Sequence, residues 1–308
     1  MKSNKTYSIQ QGIIDRYASI VDDKEKFREN IHKPLKKSFR INTLKGDKED
    51  TLLNLKTYDD SISCAKWYDN GFTTKLDNLG SSIEHFVGQI YIQELTSMIP
   101  PLTIPNLNEY EKIIDCCAAP GSKTTQIADI MQNNGEIIAN DKTHSRLKSL
   151  RGNLDRLGIT NTTVTLRDFR SFPNTDADAY FVDVPCSSEG TIRKKNTIKK
   201  NWNEKDYGRF SKIQKGILER VCEMANKGNQ IIYSTCTFAP EENEGVISAI
   251  LETQAVKLKK INIENLKIEE GRTNWMNQDY DKEVKKCARI WPHHNNTDAF
   301  FITRMEKC

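Results

Sequence analysis

Two thiols stand where a reactive sulfur would be useful. Cys186 closes the run Asp183-Val184-Pro185-Cys186, and Cys236 lies in Ser234-Thr235-Cys236-Thr237. Each follows an apolar segment, Ala179–Val184 and Asn229–Ser234, that reads as a buried strand. A thiolate at the carboxyl edge of a sheet can add to an electron-poor carbon and later depart. Taken singly, either cysteine is more simply a core residue, because a thiol packs as a small hydrophobe. Residue chemistry alone does not choose between the two. The chain has eight cysteines, and those at 64, 116, 117, 222, 287 and 308 carry less signal. None forms a C-x-x-C pair and no histidine completes a ligand set, so no metal is expected. In the cytoplasm all should be reduced, and adjacent Cys116 and Cys117 cannot form a relaxed disulfide.

A second chemical signal lies in Ile113 to Thr125, IIDCCAAPGSKTT, where an apolar strand passes through small residues into a helix. Small side chains let a ligand approach the backbone, and the helix N-terminus offers unpaired N–H groups. Cys117, Ala118, Ala119, Pro120, Gly121, Ser122 and Lys123 are the candidate contacts. A phosphate-binding loop would need glycine at position 116 and lysine directly after Gly121, and a dinucleotide loop would need three glycines. Neither pattern is met. A methyl donor built on adenosine without a pyrophosphate, S-adenosylmethionine, requires neither. Asp141 falls at the end of the next strand, where a carboxylate can accept both ribose hydroxyls, and Asp168 follows the third strand, toward the adenine edge. Each aspartate alone reads as a cap or turn residue. With Asp183 they form a series at successive strand ends.

These residues need a frame. From about residue 90 the pattern alternates strand and helix: strands at 112–117, 136–139, 162–166, 179–184 and 229–234, helices at 123–131, 144–157, 210–225 and 241–251. Final strands are expected at 255–261 and 299–304. This is the signature of an α/β, doubly wound, Rossmann-like sheet, with ligands beyond the strands' carboxyl ends. Residues 1–88 read as a small α+β domain and 89–308 as the catalytic domain; within the first, one helix is expected over 8–30 and strands at 38–44 and 63–68. The net charge of +4 is too small to argue for nucleic acid. Lys33, Lys36, Lys37 and Arg40 form one basic cluster, and Arg193, Lys194, Lys195, Lys199 and Lys200 another. Either could hold phosphates, although a solvated face is the commoner meaning. No run is apolar enough to cross a membrane and no secretory leader is evident, so a cytoplasmic monomer is expected.

The stretches SFRINTLK, GQIYIQELTSMIP, DCCAAPGSKTTQIA, DVPCSSEGTIRK, YSTCTFAPEENE and ARIWPHHNNTDAFFITRMEK, in this order, resemble the motifs of the Nol/Nop/Sun (NSUN) family of RNA cytosine-5 methyltransferases. The resemblance covers nearly all of residues 35–308, and in length the chain is similar to the compact archaeal members that act on tRNA. It implies a class I S-adenosylmethionine-dependent methyltransferase fold behind an RRM-like N-terminal domain, with RNA as partner, tRNA before ribosomal RNA. Cytosine carbon 5 is a poor nucleophile until a thiolate adds at carbon 6; a base must then take the carbon 5 proton so the thiol can leave. The resemblance implies Cys236 as that thiol and Cys186 as the group that helps break the adduct. DNA cytosine methyltransferases use the Pro-Cys thiol instead. Asp183 is expected to stabilise charge developing at ring nitrogen 3, and Lys123 to lie near the target nucleotide. Ser122 stands where many relatives have glycine, and P-C-S-S replaces P-C-S-G. No further RNA-binding domain follows Cys308, so recognition should fall to the N-terminal domain, which lacks an aromatic RNA-binding signature, and to the basic loop. The alternative is a scaffold that binds RNA without catalysis.

Overall fold

Alternating apolar residues build the large sheet, seen in a computed structural model that describes residues 11–194 and 202–308. The strands are β5 (Lys112–Asp115), β6 (Glu136–Asp141), β7 (Thr162–Leu166), β8 (Ala179–Asp183), β9 (Gln230–Thr235), β10 (Val256–Lys259), β11 (Glu269–Glu270), β14 (Ala288–Ile290) and β15 (Phe300–Lys307). Ile113, Phe181 and Ile232 pack on one face with Ile127 of the helix Ser122–Ile130. Ile114, Val182 and Tyr233 pack on the other with Leu218 and Val246 of the helices Asp206–Met224 and Glu244–Thr253. Period-two burial to both faces is what a strand covered on both sides requires.

The strand order is β11-β14-β15-β9-β8-β5-β6-β7, with β10 paired to β15. Strands β5 to β9 run parallel, while β15 enters antiparallel between β9 and β14. The sheet is therefore mixed, closed on one side by a short antiparallel section that local patterning does not announce. After β5 the chain winds outward through β6 and β7, then returns to β8 on β5's other flank. This reversal opens a crevice beyond the carboxyl ends of β5 and β8, the place where such sheets bind ligands.

The small sheet comprises β1 (Lys37–Ile41), β2 (Ser63–Ala65), β3 (Tyr68–Thr74) and β4 (Ile90–Ile92), ordered β2-β3-β1-β4 and antiparallel. Its fourth strand comes from just beyond residue 88. A two-residue pair, β12 (Asn274–Trp275) with β13 (Gln278–Asp279), lies apart. The single helix expected over 8–30 is broken: residues 11–17 are helical, and a separate helix runs Lys24–His32. Asp23 starts the second helix by accepting from Lys26 N at 3.0 Å, while Asp22 turns away to His293 (2.7 Å) and His294 (2.9 Å). Ile13, Tyr17 and Phe27 then join the large domain's core against Phe238 and Trp291.

Two arginines of the basic clusters are structural. Arg40 is fully buried between the domains, donating to Gln93 Oε1 (3.1 Å), Thr125 Oγ1 (2.6 Å) and Asp129 Oδ2 (3.4 Å). Arg193 is spent on the carbonyls of Lys33 and Thr297 and on Asn296 Oδ1. Lys33, Lys36, Lys37 and Lys194 stay exposed; Lys195, Lys199 and Lys200 lie outside the described residues. Arg40→Ala should cost about 3–5 kcal/mol, because it leaves the buried Asp129 carboxylate without its cation. Urea unfolding measures this, and a loss under about 1 kcal/mol, as for an exposed pair, would contradict it.

Candidate active site

The crevice is a cavity of about 470 Å³ whose wall includes Asp115, Cys117, Lys123, Asp183, Cys186 and Cys236. The cofactor-loop candidates Ala118, Ala119, Pro120 and Ser122 line it too. Gly121 does not; it turns the chain into the helix at φ +106°, and a Cβ there would lie 2.9 Å from Leu150 Cδ1. Only glycine suits both demands. Asp115, buried at the end of β5, accepts from Thr124 Oγ1 at 2.6 Å, and its other oxygen has no partner. Burial pushes that carboxyl up to about 6.

Asp141 ends β6 with its side chain buried, and its Oδ2 has no hydrogen bond, although Arg146 Nη1 stands 3.1 Å away in poor alignment. An acceptor held at this strand end suits a ribose hydroxyl, so the loop and Asp141 fit an adenosyl ligand. Asp168 lines a small side cavity with Asp141 and Arg146. Its oxygens, however, are taken by Arg170 at 2.6 and 2.9 Å, which hold the carboxyl well below its usual range. The expected adenine contact therefore competes with an ion pair. Arg146 borders both cavities and also donates to the Ala119 carbonyl.

Lys123 lies in the first turn of its helix, where the helix dipole disfavours a positive charge, and Asp183 offsets it there. Its ammonium, almost fully buried, lies 2.6 Å from Asp183 Oδ2, 3.3 Å from Ser97 Oγ and 5.4 Å from the Phe300 ring centre. Its partner is thus a carboxylate of the protein. Asp183 Oδ1 accepts from Ser234 Oγ at 2.7 Å, across the register that pairs Asp183 with Ser234. Both oxygens are fixed, one by a neighbouring strand and one by the helix.

The two thiols meet. Cys186 Sγ and Cys236 Sγ lie 3.5 Å apart, a hydrogen-bonding distance and far longer than the roughly 2.05 Å of a disulfide. The hydrogen bond to Cys236, then burial, push the Cys186 thiol well above its usual range, so Cys186 keeps its proton. Their loops are stitched by Ser187 and Thr237, whose hydroxyls are 2.7 Å apart. Glu242 braces the Cys186 loop, accepting from Ser187 N (3.1 Å) and Gln214 Nε2 (2.7 Å), and burial pushes its carboxyl up to about 7. Cys116, Cys222 and Cys287 are buried core thiols, and Cys64 and Cys308 are exposed.

Four contributors were not singled out from sequence: Glu94, Arg146, Asp298 and Phe300 line the cavity, as does Lys194 of the second basic cluster. Glu94, Asp298 and Phe300 lie inside motif stretches, so their neighbourhood was visible although their roles were not. No helix among the described residues is long and apolar enough to cross a membrane.

Comparison with known proteins agrees with this architecture. The family model described as 16S rRNA methyltransferase RsmB/F matches residues 102–306, and that for the N-terminal domain of 16S rRNA methyltransferase RsmF matches 9–95. The chain is 39% identical to the tRNA (cytosine(49)-C(5))-methyltransferase of Pyrococcus abyssi, over 97% of its own length and 96% of that protein's. It is 37% identical to ribosomal RNA small subunit methyltransferase F of Vibrio parahaemolyticus, over 88% of its length, but spans only 60% of that larger protein. A crystal structure of a methyltransferase homologue from Pyrococcus horikoshii superposes with a TM-score of 0.82 at 32% identity, covering 96% of this chain and 94% of that one. NSun6 from Pyrococcus horikoshii, solved with the S-adenosylmethionine analogue SFG, shares the fold at 21% identity, with a TM-score of 0.81 and 97% of both chains covered. The chain belongs to the RsmB/RsmF, or Nol/Nop/Sun, family of S-adenosylmethionine-dependent RNA cytosine-5 methyltransferases.

Proposed function

We propose that this enzyme methylates a tRNA cytosine through a covalent adduct between Cys236 and ring carbon 6. The observation that carries the covalent reading is the pair of sulfurs 3.5 Å apart in one cavity with the Lys123–Asp183 ion pair. Cys236 adds to carbon 6 as its thiolate, and the Lys123 ammonium, held in place by Asp183, offsets the negative charge that develops toward nitrogen 3. The bound cofactor supplies the electrophilic methyl group. Cys186, which holds its proton, donates a hydrogen bond to the Cys236 sulfur and eases its departure. To enter the cavity the target base must leave its stack.

The preference for tRNA rests on the likeness to the archaeal tRNA enzyme, 39% identical over 97% of this chain and 96% of that protein. Ribosomal RNA is the second reading, favoured by the match at 34–37% identity to several of those proteins. RNA carrying 5-fluorocytidine should form a gel-stable adduct with the protein; no adduct and no methyl transfer would reject the covalent reading. Bisulfite sequencing of RNA from a deletion strain would then identify the RNA and the position.

We further assign Asp141 to the cofactor's ribose. Asp141→Ala should weaken S-adenosylhomocysteine binding about 10- to 100-fold, the worth of a hydrogen bond to a charged group. Calorimetry reads it directly, and unchanged affinity would remove Asp141 from the site.

A further inference from the structure

Release of the product requires a base for the carbon 5 proton, and Cys186 is poorly suited because it keeps its own. Besides Asp183 the cavity wall carries three acids, Glu94, Asp115 and Asp298, and of these Asp298 stands on the segment tied to Cys236. Asp298 is 2% exposed and lines the wall with Cys236 and Phe300. It precedes β15, whose register sets Phe301 opposite Thr235 and so brings this segment beside Cys236. Gly190 ties them together: its N–H donates to the Cys236 carbonyl (3.0 Å), and its carbonyl accepts from Ala299 N (3.1 Å). A Cβ on Gly190 would lie 2.7 Å from the Cys236 carbonyl oxygen, so the approach depends on glycine.

Asp298 Oδ1 is buried without a hydrogen-bond partner, while Oδ2 lies 3.6 Å from Lys194 Nζ. A buried acceptor left unpaired is costly and calls for a partner that arrives with the substrate. The titratable and charged groups facing Asp298 are Glu94, Lys194, Arg193 and the Cys236 thiol. Burial and Glu94 outweigh the two cations and push the carboxyl up to about 7, a suitable value for a base at neutral pH.

We propose that Asp298 is the general base that removes the carbon 5 proton from the methylated adduct. The proposal rests on the covalent role of Cys236. The carbon 5–hydrogen bond breaks and its proton passes to the Asp298 carboxylate. The electron pair restores the carbon 5–carbon 6 double bond, and the carbon 6–sulfur bond breaks with its electrons on Cys236. Geometry agrees. Thiol and methyl donor crowd adjacent ring carbons and so approach opposite faces, which turns the carbon 5 hydrogen to the thiol's side. Cys236 and Asp298 come from β9 and β15, whereas the cofactor loop follows β5, two and three strands away.

The test uses the full chain, S-adenosylmethionine and RNA carrying tritium at cytosine carbon 5. Asp298→Asn should slow tritium release about 100-fold or more, the usual contribution of a general base, while labelled methyl still enters protein-bound RNA. Its adduct with 5-fluorocytidine RNA should form normally. Absence of that adduct in the wild-type enzyme would instead condemn the covalent reading. Release from preformed wild-type adduct should rise with pH and level off above about 7, a limb absent in Asp298→Asn. Added formate should restore part of the release in Asp298→Gly, which a merely structural role would not allow. Tritium release at the wild-type rate in Asp298→Asn would overturn the proposal. So would loss of the 5-fluorocytidine adduct in a variant that still binds S-adenosylhomocysteine, which would mark Asp298 as a recognition residue. Should neither variant bind that ligand, wild-type release that is flat between about pH 6 and 8 would overturn it.

Discussion

Cys236→Ala is expected to abolish the adduct with 5-fluorocytidine RNA and methyl transfer to ordinary RNA together. The fall in turnover should reach roughly 10⁶-fold or more, at least the lower end of enzymatic acceleration. Without addition at carbon 6, carbon 5 stays in an aromatic ring and cannot attack a methyl group, however well the cofactor is held. Cys186 cannot take over. Its sulfur is only 3.5 Å away in the wild-type enzyme, but burial still raises that thiol's pKa once the hydrogen bond to Cys236 is gone. The substitution removes one partly buried sulfur, while the Cys236 backbone, which receives Gly190 N–H, remains. Binding of S-adenosylhomocysteine should therefore persist, separating chemistry from folding. An adduct formed by Cys236→Ala would transfer the nucleophile's role to Cys186, the position DNA cytosine methyltransferases use.

Much of this site was legible because its parts are local. The helix His144–Leu157 and the strand Thr162–Leu166 fall where periodicity places them, with Gly158 ending the helix at φ +70°. The cofactor turn, both thiols and Asp183 sit at strand ends, and a strand end is visible in the sequence. What escaped depends on which segments meet. The antiparallel entry of β15 beside β9 is a long-range pairing, and with the Gly190 bridge it brings Asp298 and Phe300 to Cys236. Arg40 looked like a phosphate ligand because it follows three lysines, yet its guanidinium is buried against Asp129, 89 residues on. Asp168 kept its place near Asp141, but Arg170, two residues away, took its oxygens. In each case charge was readable and its partner was not.

The second large effect concerns release. Cys186→Ala should still attack and methylate RNA, but it should hold the product as a covalent complex that survives denaturing electrophoresis. On the proposed mechanism the departing Cys236 sulfur receives a hydrogen bond from the Cys186 thiol, 3.5 Å away. Removing that donor leaves a developing thiolate uncompensated, and stabilisation of a leaving group by a positioned donor is worth about 100-fold or more. The adduct should therefore accumulate on unmodified cytosine with S-adenosylmethionine present, a species the wild-type enzyme clears. This trap differs in kind from that expected for Asp298→Asn. Formate can replace a missing base but not a missing S–H donor, so it should leave Cys186→Ala unrescued. The pH-dependent limb set by Asp298 should likewise persist in Cys186→Ala, at a lower plateau. A soluble Cys186→Ala protein that turns over normally, with no retained RNA, would show that the Cys236 thiolate needs no donor to leave.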